Sequence, residues 1–138
     1  MKFRLSLAKA IINELLDDTD LMNLVNGVYL VEADDDASEP YLVYKQITDG
    51  DKNYAFDSNS AVTSRPMVQI NLWDGSSPAS GTSEEVLDEL DRVLDQTKIE
   101  RNDLEFTCFN TGSMDRDFQN DSGLWRSWIR YSLQTRGV

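Results

Sequence analysis

Residues 67–97 read MVQINLWDGSSPASGTSEEVLDELDRVLDQT, and this stretch decides the fold. Apolar side chains occupy every second position of Met67–Trp73, which is the pattern of a β-strand with one buried face. Residues 74–81 follow and are rich in turn-forming residues. Thr82, with Glu85 three residues later, forms a capping box, which marks the start of a helix. The stretch therefore predicts a strand, a loop and a helix.

The predicted helix has one apolar and one acidic side. Four residues at helical spacing form the apolar side: Val86, Leu90, Val93 and Thr97. Six acids form the other: Glu84, Glu85, Asp88, Glu89, Asp91 and Asp95. Lys98 and Arg101 lie at its C-terminal end, where the helix dipole favours cations. Because an apolar stripe of this kind has to be buried, the helix requires a second layer of structure to pack against.

A second amphipathic helix is predicted at the start of the chain. Its apolar stripe is formed by Leu5, Ala8, Ile12 and Leu15. A short helical turn over Leu21–Val25 follows, with Thr19 or Asp20 as its cap. Asn26 and Gly27 close that turn.

Four further segments have the composition of β-strands. The predicted strands are Val28–Glu32, Tyr41–Ile47, Leu104–Asn110 and Trp125–Thr135, and a polar loop through Gly112 and Gly123 joins the last two. Adjacent strands without crossover helices predict a mostly antiparallel sheet. We therefore expect a single α+β domain over residues 1–138: a two-layer sandwich whose sheet of four to five strands carries both helices on one face.

The last predicted strand has an unusual outer face. Trp128 lies there between Arg126 and Arg130, and Trp together with Arg is typical of interface hot spots. A second layer covering this face, such as the N-terminal segment, is an equally good explanation. Residues 49–65 predict a long flexible loop or arm, which is usually functional at this length. The candidate interface residues come from these two regions, together with Arg116 from the polar loop before the last strand: Tyr54, Phe56, Arg65, Arg116, Arg126, Trp128 and Arg130.

The composition excludes several classes of function. The chain has 25 Asp and Glu against 13 Lys and Arg, a net charge of −12, which argues against stable binding to nucleic acid. It has no histidine, and its one cysteine, Cys108, fits a small core residue. Asp49, Asp51 and Asn53 resemble the start of a calcium loop but lack its later glycine and glutamate. Asp115 and Asp117 have nothing apolar nearby to raise a pKa. We expect no catalytic site, no cofactor and no metal.

The expected setting follows from the same features. No small-residue cleavage site follows the first helix, so we expect no signal peptide. No apolar run approaches the roughly 18 residues of a membrane span, so we expect no membrane partner. Low cysteine usage suits a reducing cytoplasm or a particle assembled there.

The order and spacing of these elements resemble the tail terminator, or tail-completion, proteins of long-tailed bacteriophages. Four segments carry the resemblance: Asp20–Tyr29, Pro40–Tyr44, Val68–Trp73 leading into the second helix, and Trp125–Tyr131 near the end. The similarity runs over nearly the whole chain. The acidic stretch Glu32–Glu39 is longer than the loop usual at that point.

The resemblance implies a structural virion protein at the head–tail junction and not an enzyme. It implies a hexameric ring that caps the tail tube, ends tail polymerisation and docks on the head connector. The implied partners are further copies of the chain, the major tail tube protein and the head-completion or connector protein. Two alternatives stay open, namely another connector or tail-tube subunit, and a small non-viral interaction domain.

A ring at this junction gives the acidity a second meaning. DNA would pass through the bore without binding, and an acidic wall would repel its phosphates. The candidate channel-facing acids are Asp34, Asp35, Asp36, Glu84, Glu85 and Asp88.

Overall fold

The computed structural model describes residues 2–33, 36–48, 63–75, 82–101, 104–119, 121 and 123–136. Tyr54 and Phe56, the calcium-like motif and most of the predicted arm lie outside these residues. Three helices are present in the described part: α1 (Lys2–Asp17), α2 (Thr19–Met22) and α3 (Thr82–Leu94). Its strands are β1 (Val28–Leu30), β2 (Tyr41–Thr48), β3 (Thr63–Ser64), β4 (Met67–Asp74), β5 (Lys98–Arg101), β6 (Leu104–Gln119) and β7 (Leu124–Arg136).

The strands form one seven-stranded mixed sheet in the order β1-β2-β4-β7-β6-β5, with β3 paired to β7. The α+β class is confirmed, but the expected four to five antiparallel strands are wrong. The edge strand β1 runs parallel to β2, with Val28 opposite Leu42. The other strand pairs are antiparallel. The ten-residue connection between β1 and β2 returns the chain to the same end of the sheet, as a parallel pair requires.

The core lies between the helices and one face of the sheet. Leu7, Ile11 and Leu15 of α1 are fully buried there, and so is Leu90 of α3. Residues of β2, β4 and β7 complete the same cluster: Leu42, Tyr44, Val68, Ile70, Leu72, Ile129, Tyr131 and Leu133. In β4 and β7 these alternate positions confirm the predicted faces of the strands, since successive side chains of a strand point to opposite faces.

Cys108 belongs to this core, as predicted. It is fully buried on β6, and burial raises the pKa of its thiol to about 12. A thiol in that state is protonated at neutral pH, which makes it unreactive in the folded chain.

The predicted polar loop after Asn110 is wrong, because β6 continues to Gln119 and pairs with β7 along its length. The register shifts between Asn110 and Gly112 and again between Met114 and Asp117. Such β-bulges absorb extra residues without ending a strand. Asp115 and Asp117 therefore lie in a strand and not in a loop.

The end of α3 also differs from the prediction. The helix ends at Leu94, so Thr97 does not lie on its apolar side. Lys98 and Arg101 are part of strand β5, which pairs with the first residues of β6. Arg101 reaches back to α1, where its Nε lies 2.9 Å from Glu14 Oε1.

The cap of α2 is Asp18, not Thr19 or Asp20, and the helix spans Thr19–Met22 instead of 21–25. Asp18 Oδ1 accepts a hydrogen bond of 2.9 Å from the backbone N–H of Leu21 and one of 2.7 Å from Arg92 Nη2 of α3. The Leu21 N–H, followed by the Arg92 guanidinium, lowers the pKa of the Asp18 carboxyl below its ordinary 3.8, although partial desolvation opposes this. One side chain thus caps α2 and ties it to α3.

Replacing Asp18 by alanine is expected to lower the free energy of unfolding by about 1–2 kcal/mol, because the cap and the tie to Arg92 are lost together. Urea denaturation at pH 7 measures this. As the pKa is lowered on folding, the stabilisation is present above pH 3.8 and disappears as the pH falls through the lowered value. The control is Asp20→Ala, because Asp20 is exposed and 4.0 Å from Arg92. Equal losses in the two variants would contradict the assignment of the cap.

Candidate interaction surface

The face of the sheet that points away from the helices carries an ordered set of large and polar side chains. Three rows cross β2, β4 and β7 on this side: Tyr41–Trp73–Arg126, Val43–Asn71–Trp128 and Lys45–Gln69–Arg130. We call these nine residues the open face. Val43 is buried but is not part of the hydrophobic core cluster, which separates this face from the core.

The centre of the open face is buried. Val43, Gln69 and Asn71 are only 5–7% exposed. Trp73 and Trp128 on either side are half-buried. The large neighbours therefore shield a polar centre, although no helix in the described part of the chain packs over it.

A polar network fixes the geometry of this centre. Arg130 Nε donates a hydrogen bond of 2.8 Å to Gln69 Oε1, and Gln69 Nε2 donates one of 2.6 Å to Asn71 Oδ1. The Arg130 guanidinium also lies 4.6 Å from the centre of the Trp128 ring, a cation–π contact. Since each member restrains the next, the indole and the guanidinium are held in place before any partner arrives.

Arg126 is less well satisfied. Its Nη2 lies 3.7 Å from Asp117 Oδ2 across the β6–β7 pair, too far for a hydrogen bond. Its Nε is buried, and the described part of the chain gives it no acceptor. Together with Tyr41, Lys45 and Trp73 it lines a groove of about 410 Å³. This end of the open face thus places a half-buried guanidinium, held by no short ion pair, beside aromatic rings.

Three of the predicted interface residues, Arg126, Trp128 and Arg130, lie together on the open face. Arg65 is exposed between β3 and β4, away from that group in sequence. Arg116 lies in β6, but its side chain is not among those described. Sequence reasoning missed the contribution of β2 and β4, although the alternation in Met67–Trp73 already placed Gln69 and Asn71 on the outer face.

The acids predicted to face a channel lie in two separate regions. Glu84, Glu85 and Asp88 are exposed on α3, on the helix side of the sheet. Asp36 is exposed in the connection between β1 and β2, and Asp34 and Asp35 are outside the described residues. Glu84 and Asp88 border a cleft of about 290 Å³ between α3 and β6.

The sequence profile of the family described as tail completion protein gp17 matches residues 9–135. The chain belongs to this family. It is therefore a structural protein of phage-type virions, with a role in the tail. Comparison with curated proteins gave no match.

Two solved structures share the fold of this tail completion family member. A chain from the virion of a native gene transfer agent particle aligns with a TM-score of 0.75 at 12% identity, covering 96% of each chain. The gp17 protein of bacteriophage SPP1 aligns with a TM-score of 0.62 at 17% identity, covering 97% of this chain and 91% of that one. At these identities the likeness establishes the fold alone.

One group of acids in this tail completion family member has the spacing of metal ligands. Carboxylate oxygens of Asp18, Asp20 and Glu89 lie within 4.8 Å of one another. Arg92 already occupies the space between them, with Nη2 2.7 Å from both Asp18 Oδ1 and Glu89 Oε2. A guanidinium in this position supplies the positive charge that a cation would supply, so the group is explained as an ion-pair cluster.

No helix in the described part of the chain is both long enough and apolar enough to cross a membrane.

Proposed function

We propose that this chain assembles into a hexameric ring that caps the phage tail tube, ends its polymerisation and provides the docking surface for the head connector. The proposed partners are further copies of the chain, the major tail tube protein and the head-completion or connector protein. The work is association, and we propose no catalysed reaction. The setting is the head–tail junction of the virion, after assembly in the host cytoplasm.

The open face is the observation that carries the proposal. Its buried centre, surrounded by two tryptophans and three cations, has the composition of a binding hot spot. The N-terminal helix does not cover it, because Leu7, Ile11 and Leu15 of α1 are packed into the core on the other side of the sheet. A preformed surface of this kind in a tail protein supports a role in which identical subunits join.

The net charge of −12 supports a bore through which DNA passes without binding. Phosphates that enter an acidic channel are repelled from its wall, so the genome can move. The two acidic regions, Asp34–Asp36 and the outer side of α3, are both candidates for this wall. They belong to different elements, so they need not share one role.

The test is sizing and negative-stain electron microscopy of the purified protein, alone and with purified tail tubes. We expect six-fold rings with an open bore, and tubes that carry one ring at one end and no longer elongate when tube protein is added. Rings that form only on tubes would also support the proposal. A compact monomer that never binds a tube end would contradict it.

The same images distinguish the alternatives. Spontaneous long tubes of the protein alone would identify a tail-tube subunit, and rings that bind heads but never tails would identify another connector. Membership of the tail completion family argues against a small non-viral interaction domain.

A further inference from the structure

The open face and the outer side of α3 carry side chains of opposite charge. The open face presents three cations: Lys45, Arg126 and Arg130. The outer side of α3 presents the exposed acids Glu84, Glu85 and Asp88. The sheet and the core separate the two surfaces, so they cannot satisfy each other within one chain.

Surfaces of opposite charge on opposite sides of one domain fit a head-to-tail contact between identical copies. Such a heterologous contact uses a different patch on each partner, and it closes into a ring when the rotation between neighbours divides a full turn. In a two-fold dimer each surface would face its own copy, which places like charges against each other. The charge arrangement therefore favours the geometry that a ring needs.

We infer that the open face of one subunit binds the acidic outer side of α3 of a second copy. This inference rests on the proposed ring and names the contact by which it closes. Carboxylates of the incoming α3 would pair with the exposed ammonium group of Lys45 and with the Arg126 guanidinium, whose Nη2 lies 3.7 Å from Asp117 Oδ2 and makes no hydrogen bond to it. Charge-assisted pairs of this kind are the strongest hydrogen bonds that proteins make.

The aromatic residues of the open face give the contact its shape. Trp73 and Trp128 flank the polar centre, and the hydrogen bonds of Arg130 and Gln69 hold that centre in one arrangement. Leu87 of α3, half-buried beside Asp88, is an apolar side chain within reach of such rings. A surface that is already ordered loses little conformational freedom on binding.

The inference also separates the two acidic regions. If α3 is covered by a neighbouring subunit, its acids do not form the wall of the channel. The connection that contains Asp34–Asp36 is then the remaining candidate for that wall.

Charge reversal tests the contact. Lys45→Glu with Arg126→Glu reverses the open face, and Glu84→Lys with Asp88→Lys reverses the outer side of α3. We expect each double variant to weaken ring formation at least tenfold, by analytical ultracentrifugation or by ring counts on tail tubes. The quadruple variant restores complementary charge, and we expect it to recover rings. Glu100→Lys with Asp121→Lys is the matched control for the α3 pair, since both acids are exposed outside α3 and the open face and their reversal changes the net charge by the same amount.

Circular dichroism first establishes that each variant is folded. If reversal at Arg126 prevents folding, the α3 pair alone decides the matter, because both of its side chains are exposed. If the wild-type protein forms rings and the α3 double variant forms them equally well, the inference is overturned. The proposed function is then unaffected. Absence of wild-type rings, both in solution and on tubes, would contradict the proposed function itself. If the control variant loses ring formation to the same extent, net charge alone accounts for the effect, and the inference is overturned.

Discussion

Replacing Trp128 by alanine is expected to weaken ring assembly by about thirtyfold or more while the chain still folds. Truncating a hot-spot tryptophan costs about 2 kcal/mol or more, and each 1.4 kcal/mol is a factor of ten. Trp128 occupies the middle row of the open face, and its ring supports the Arg130 guanidinium at 4.6 Å. The variant therefore removes both the contact area and the support of a cation. Concentration-dependent sizing measures the loss.

Trp125→Ala is the matched control for this variant. Trp125 lies three residues away on the same strand but on the opposite face, where it forms an edge-to-face pair with Phe118 at 5.0 Å. The two variants lose the same side chain, so a general effect on β7 would appear in both. Normal assembly of the Trp128 variant together with failed assembly of the Trp125 variant would show that rings form through the other face of the hairpin.

Elements with strong internal periodicity were predictable from the sequence. Met67–Asp74 and the start of α3 at Thr82 match their predicted positions closely, because alternation and capping are local signals that each segment carries within itself. The same alternation in β7 correctly placed Tyr131 in the core and Arg130 outside.

Pairings between distant segments were not predictable in this way. The parallel pairing of β1 with β2 depends on the path of the connecting chain, which has no period to read. Strand β5 is only four residues long and bears charges at both ends, so it resembles the cationic end of a helix. The second half of β6 is polar and contains Gly112, which favours a loop in isolation. It is a strand because β7 supplies a partner along its length.

The open face shows the same limit. Arg126, Trp128 and Arg130 were identified from one strand. The buried state of Gln69 and Asn71 required knowledge of what stands beside them, because the partner of Gln69 is 61 residues away in the chain. Polar residues are usually exposed, and a cross-strand network is what makes their burial tolerable.

Leu90→Ala is expected to lower the free energy of unfolding by about 2–5 kcal/mol, the range for removing a large apolar side chain from a packed core. Leu90 is fully buried on α3 and belongs to the one cluster that joins both long helices to the sheet. Domains of this kind are stable by about 5–15 kcal/mol in total, so the loss is a large part of the whole. Urea denaturation with circular dichroism measures it.

Leu87→Ala on the same helix is the control, because Leu87 is only half-buried and packs at the margin of the cluster. The Leu87→Ala change should lower the free energy of unfolding by roughly 1 kcal/mol, the ordinary cost of a point change. Leu90→Met keeps the volume and should cost less than about 1.5 kcal/mol. Since Leu87 flanks the acids of α3, its truncation should weaken assembly more than folding, whereas Leu90→Ala should do the reverse. Equal destabilisation by the two alanine variants would mean that α3 does not present Leu90 to the core and Leu87 to its edge.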